Sequence, residues 1–183
     1  MNPDTPDQRD DHRNGAFVIV ISPSGKILVA DATYGSRLGM LPGGGIYGGE
    51  TPRAAARREL LEEFGIDLPE SSLLHWGTFA QKSRGNDPHG PLLDGLLLAF
   101  EVHVDFETVA PYPNDEAANQ RLESPLEIFR AGEARFGTSC LRLLGRALVR
   151  GTLGQVEGLM KDKVAFSTTA FCPGVVTPEL FEF

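Results

Sequence analysis

Three glutamates crowd the far end of one short segment. In GGGIYGGETPRAAARRELLEEFGI, residues 43–66, Glu59, Glu62 and Glu63 follow one another closely. On a helix turning about 100° per residue they occupy one arc of roughly 100°. Glu59 and Glu63 stand at i and i+4, where like charges destabilise a helix. Glu62 and Glu63 also fall in the last turn, where the helix dipole is negative and cations are favoured. Selection for helix stability alone does not choose this pattern, so the cluster asks for a positive charge to sit against it. The plain alternative is a solvated acidic face, with Arg58 and Glu62 at i and i+4 as an ordinary surface pair.

The element that must carry these groups has clear ends. Thr51 is a candidate N-cap and Pro52 suits the first helical position. Ala54, Ala55 and Ala56 are strong helix formers. Gly65 supplies the C-terminal stop, with Ile66 placed for an apolar contact beyond it. Leu60, Leu61 and Phe64 fill a second arc, so one face packs inward and its neighbour presents the carboxylates. Glycines dominate the loop before the helix, and residues 43–48 match G-x-G-x-x-G. The dinucleotide reading fails, because it needs a strand just before and a helix opening at the loop. Pro42 stands where that strand should end, and the helix begins only after Thr51. No Gly-Lys-Ser/Thr follows, which removes the P-loop reading. A loop needing φ > 0 at some positions remains.

Around this segment the pattern is that of one globular domain. The chain has 183 residues, 41% of them hydrophobic and 23% charged. GAFVIVIS (15–22), a turn at Pro23-Ser24-Gly25 and KILVAD read as a hairpin whose first strand is buried on both faces. Residues 34–49 read as loop. Residues 72–83 and 91–104 read as strands joined by a turn, 105–125 as a long loop, and 137–151 as a second helix from its apolar spacing. Strands and helices in mixed order predict an α/β fold with a mixed sheet packed between helices.

We expect a disordered acidic tail over 1–14, the main domain over 15–155, and an apolar extension over 156–183 that packs on the core or on a partner subunit, leaving a homodimer open. The tail lacks the apolar segment of a secretory signal, and no run of about 20 apolar residues offers a membrane span. The expected location is cytoplasmic, with no membrane partner. With 17 basic against 25 acidic side chains the net charge is −8, which argues against nucleic-acid binding. An acidic protein that handles an anionic substrate needs cations or local arginines. Cys140 and Cys172 lie far apart without a CxxC and read as small buried apolar residues. His75, His89 and His103 read as structural or surface histidines.

Taken together, Gly44, Glu50, Arg58, Glu59, Leu60, Glu62, Glu63, Gly65 and Ile66 reproduce G-x5-E-x7-R-E-U-x-E-E-x-G-U, with U aliphatic. This resembles the Nudix box at every specified position. The resemblance implies an α/β/α sandwich and a metal-dependent hydrolase of a nucleoside diphosphate linked to another moiety. It implies Mg²⁺, with Mn²⁺ as the alternative, held by Glu59 and Glu63, then Glu62, and by a backbone carbonyl at Gly43 or Gly44. Such hard cations take oxygen ligands and usually few carboxylates plus substrate phosphates, and their charge removes the like-charge problem. Arg58 would orient a glutamate of the cluster. Glu50 and Gly65 would be structural. The catalytic set implied is Glu59, Glu62, Arg58 and a later loop acid, for which Glu116 is the candidate general base; a box glutamate is the other choice.

The substrate stays open. The family's proline and tyrosine markers for ADP-ribose and dinucleoside polyphosphates are both missing from FAQKSRG (79–85), and coenzyme A and NADH motifs are absent. ADP-ribose or a nucleotide-sugar-like compound is the default. A Nudix-like ligand-binding regulator is a second reading; such domains tend to lose box glutamates. An isopentenyl-diphosphate isomerase is a third, which would need a cysteine near its active site. A structural or interaction protein would leave the intact box unexplained.

Overall fold

The computed structural model describes residues 14–35, 38–83 and 93–149. Among these residues seven strands form one sheet: β1 (Gly15–Ile21), β2 (Ile27–Ala32), β3 (Gly39–Met40), β4 (Gly43–Gly45), β5 (Leu74–Ser83), β6 (Leu93–His103) and β7 (Ala117–Glu123). Among the described residues three α-helices accompany them: α1 (Pro52–Phe64), α2 (Pro125–Ala131) and α3 (Thr138–Val149). The sheet runs β3-β2-β1-β6-β5, with β4 on β1 and β7 on β2.

The apolar, β-branched run of β1 takes the central position. It pairs antiparallel with β2 and β4 and parallel with β6. Its alternating side chains therefore enter two different cores. Ile19 and Ile21, with Ile27 and Val29 of β2, pack against Ile128 and Phe129 of α2 and Cys140, Leu141, Leu144 and Ala147 of α3. Val18 and Val20, with Leu28 and Ala30, pack against Ala55, Ala56, Leu60 and Phe64 of α1. Each large side chain taken fully out of water contributes about 1.5–3 kcal/mol. Burial on both faces makes a mixed sheet with α1 on one side and α2 and α3 on the other, the α/β/α arrangement expected from the sequence. The fold holds Cys140 inside the α3-side core, as a small apolar residue.

Three expectations are corrected. Residues 105–125 are not loop throughout, because β7 occupies Ala117–Glu123. Its sequence, AANQRLE, is too polar to announce a strand, and pairing with β2 makes it one. A register shift in that pairing accompanies Asn119, which holds a positive φ of 54°. Asparagine tolerates that conformation, and its Nδ2 donates to Asp31 Oδ2 at 3.1 Å. Arg121 Nη1 donates to Asp31 Oδ1 at 2.9 Å, so polar pairs hold this ladder. Residues 34–49 contain the short strands β3 and β4, tied down by their neighbours. Finally, α2 is an additional helix, begun by Ser124 accepting from the Glu127 N–H, with Pro125 at its start.

Strands β5 and β6 and helix α3 lie where the sequence put them. Residues 1–13 of the tail expected over 1–14, the turn that includes His89, Cys172 and the extension over 156–183 lie outside the described residues. Among the described residues, no helix is long and apolar enough to cross a membrane.

Candidate active site

Helix α1 is set by its caps. Thr51 Oγ1 accepts from the Ala54 N–H at 3.1 Å, and Pro52 opens the first turn. Gly65 ends the helix in the left-handed region at φ 66°, and the N–H groups of Gly65 and Ile66 donate to the carbonyls of Leu61 and Leu60. With both ends fixed, the direction of each glutamate follows from what packs beside it. Glu63 is 1% exposed and Glu59 5%, whereas the Glu62 side chain is 56% exposed.

The glycine loop explains how two carboxylates enter the protein. Gly43 N–H donates to Glu63 Oε2 at 3.0 Å. Gly43 has a φ of 146°, and a Cβ there would lie 2.5 Å from the Ala16 carbonyl oxygen. A Cβ on Gly44 would lie 2.5 Å from Glu59 Oε1. Only backbone without side chains lets β4 lie this close to the acidic face of α1.

Arg58 organises the other side of the cluster. Its Nε and Nη2 donate to the two oxygens of Glu50 at 2.9 and 3.2 Å, and Nη2 also donates to the Gly45 carbonyl at 2.9 Å. Its Nη1 donates to Glu59 Oε1 at 2.7 Å and to Glu62 Oε2 at 3.0 Å. The guanidinium also lies 3.8 Å from the centre of the Tyr47 ring. Burial works against its charge, but the hydrogen bonds and charges of Glu50, Glu59 and Glu62 outweigh that and hold it protonated. Glu50 is thereby engaged by Arg58 and by the Tyr47 N–H at 3.0 Å.

The third carboxylate comes from far along the chain. Oxygens of Glu59, Glu63 and Glu116 all lie within 4.8 Å of one another. Glu116 is exposed and enters from the residue before β7, where its carbonyl accepts from the Thr33 N–H at 3.0 Å. Asp115 is held by its backbone, its carbonyl accepting from Thr33 Oγ1. Burial pushes the Glu63 carboxyl up to about 9, against the Gly43 N–H and with the charges of Glu59, Glu116 and Glu62. Burial likewise raises Glu59 to about 7, opposed by Arg58 and assisted by Glu62 and Glu116. Tyr34, on the loop after β2, is 58% exposed, and its hydroxyl is raised by partial desolvation and then by the charges of Glu63, Glu116 and Glu59.

Two buried carboxylates that resist ionisation, closed by a third at the surface, form a donor set of hard oxygens that fits a divalent cation such as Mg²⁺ or Mn²⁺. The structure thus brings Glu59, Glu63 and Glu116 together, with Gly43 and Gly44 against them, and turns Glu62 outward onto Arg58. His75 contacts Thr78 Oγ1 and the Phe100 ring, and His103 is exposed on β6. Burial pushes the Cys140 thiol up to about 12, so this cysteine is an unreactive core residue. Sequence reasoning missed Asn114, Gln120 and Tyr34. The only signal for Asn114 was its place after Pro113, in a turn-forming composition.

A NUDIX domain family model matches residues 11–138. No curated protein matches the sequence. Among solved structures, the chain is similar to the NUDIX domain of Shewanella oneidensis NrtR complexed with ADP ribose, at 15% identity and a TM-score of 0.59, covering 75% of this chain and 86% of that one. It is also similar to the E. coli dihydroneopterin triphosphate pyrophosphohydrolase, at 15% identity and 0.60, covering 75% and 96%. A bifunctional NMN adenylyltransferase/ADP ribose pyrophosphatase from Francisella tularensis, complexed with AMP and a manganese ion, aligns at 19% identity and 0.59 over 75% of this chain and 41% of that longer one. At these identities the likeness is one of fold.

Proposed function

The chain belongs to the Nudix family of pyrophosphohydrolases, and on that premise we propose that it hydrolyses the pyrophosphate bond of a nucleoside diphosphate linked to another moiety, with a divalent cation held by Glu59, Glu63 and Glu116. The observation that carries this reading is the buried Glu59–Glu63 pair closed by Glu116. When bound, Mg²⁺ or Mn²⁺ supplies Lewis-acid polarisation of a phosphoryl oxygen and activation of water. Glu62 is the reserve ligand, and the carbonyl of Gly43 or Gly44 is the backbone one. Arg58 fixes the Glu59 carboxylate and keeps Glu62 beside it. Glu116, the acid open to solvent, accepts the proton of the attacking water at the carboxylate oxygen that does not face the cation, with Glu59 or Glu62 as the alternative base.

We assign a small-molecule substrate, with ADP-ribose or a nucleotide-sugar-like compound as the default, and a cytoplasmic location. The net charge of −8 supports a substrate other than nucleic acid. The test is a panel of nucleoside diphosphate derivatives, assayed for product with Mg²⁺ or Mn²⁺ and then with excess chelator. Turnover should require the cation, and Glu59→Gln and Glu63→Gln should each lower kcat by about 10²-fold or more. Tight ligand binding without product across the panel would overturn hydrolysis and favour a ligand-binding regulator.

A further inference from the structure

Glu63 and Glu116 meet at one point although they stand on separate segments, and one side chain ties their backbones together. Asn114 Nδ2 donates to the Glu63 carbonyl at 2.8 Å and to the Tyr112 carbonyl at 3.0 Å. Its Oδ1 accepts from the Glu116 N–H at 2.9 Å and from the Ala117 N–H at 2.6 Å. A primary amide has two donor hydrogens and an oxygen that accepts twice, so its whole hydrogen-bonding capacity is used. A carboxylate lacks the donors, and a hydroxyl has only one.

The Glu63 carbonyl is among the last of α1, which have no partner within the helix. It offers the loop a fixed anchor on the element that carries Glu59 and Glu63. Gln120 Nε2 reinforces the joint, its two hydrogens shared among the carbonyls of Glu63 at 3.1 Å, Tyr112 at 2.8 Å and Ala117 at 3.0 Å. Tyr112 lies over Gly65, where a Cβ would collide with its ring. The chain from Tyr112 to Ala117 is thus moulded onto the end of α1, with Asn114 at its centre.

Resting on the metal-site reading above, we infer that Asn114 is a positioning residue that holds Glu116 against the Glu59–Glu63 pair, so that the third oxygen donor is in place before a cation arrives. Without the amide, the Glu116 backbone keeps its Thr33 contact on the β2 side but loses its tie to the end of α1, and its exposed carboxylate is less firmly held against the Glu59–Glu63 pair. Groups that orient ligands in this way govern affinity without touching the metal.

The experiment is Mn²⁺ binding to the full chain without substrate, followed by electron paramagnetic resonance, for wild type, Asn114→Ala, Asn114→Ser, Glu116→Gln and the Asn114→Ala/Glu116→Gln double variant. Asn114→Ala should weaken Mn²⁺ binding about 10-fold. The double variant should bind no more weakly than Glu116→Gln alone, since Asn114 acts through Glu116. Asn114→Ser keeps an acceptor for the Glu116 amide but has lost a donor, and should fall between wild type and alanine. Wild-type affinity in Asn114→Ala, or full additivity in the double variant, overturns the inference while leaving the metal site standing. Wild-type affinity in Glu116→Gln removes Glu116 from the metal set and overturns the reading on which the inference rests. If circular dichroism shows Asn114→Ala unfolded, Asn114→Ser replaces it in the cycle, and wild-type affinity there overturns the inference.

Discussion

Replacing Glu63 by glutamine should make the metal-free protein more stable at neutral pH. Glu63 is 1% exposed, and burial raises its carboxyl from 4.5 to about 9. A carboxyl whose folded value lies above its unfolded one adds most to stability below pH 4.5. That contribution is lost as pH rises toward about 9, because the unfolded chain ionises freely and the fold resists. At pH 7.5 the interval from 4.5 is three units, and at 1.36 kcal/mol per unit holding the proton costs up to about 4 kcal/mol. Glutamine keeps the shape and an acceptor for the Gly43 N–H without that cost. Urea denaturation of wild type and Glu63→Gln in chelator, from pH 4.5 to 8, should therefore give stabilities that meet at the acid end. They should diverge by about 1.4 kcal/mol per pH unit in favour of the variant. Saturating Mn²⁺ should reverse the order, because a ligand that binds only the native wild type stabilises it by mass action. Parallel curves in chelator, or a wild type more stable than the variant at pH 7.5, would show that the protein itself compensates the Glu63 charge, and the argument for a cation there would fail.

Gly44→Ala should place a methyl against Glu59 Oε1, displacing that carboxylate from Arg58 and weakening Mn²⁺ binding together with a lower melting temperature; an unchanged dissociation constant would refute the close-approach account. Arg58→Lys should lower both kcat and melting temperature, because a lysine cannot make the forked contact with Glu50 and still reach Glu59 and the Gly45 carbonyl; a loss of about 1–3 kcal/mol in a denaturation curve is expected from the hydrogen bonds left unmade to Glu50.

Helix α1 was legible because its determinants are local. Thr51, Pro52 and Gly65 act within a turn of where they stand, and the spacing from Gly44 to Ile66 is a property of the chain alone. The central hairpin was legible for a similar reason, since an apolar β-branched run such as GAFVIVIS is stable only when covered on both faces. What the glutamates do was not decided at that level. Glu59, Glu62 and Glu63 share one arc on paper, yet Glu62 turns outward to Arg58 while Glu59 and Glu63 are buried. The glycines of β4 decide that, by letting backbone lie against the helix. Strand β7 is a strand by pairing with β2, and its Asn119 and Arg121 reach Asp31 only in that context. Glu116 was legible as an acid in a loop, but its meeting with Glu63 depends on Asn114, 51 residues from the carbonyl it grips. Short-range sequence patterns set caps, periods and turns because those energies arise between near neighbours. Contacts between distant segments arise only when packing brings them together, and here that packing converts an acidic helix end into a three-carboxylate site.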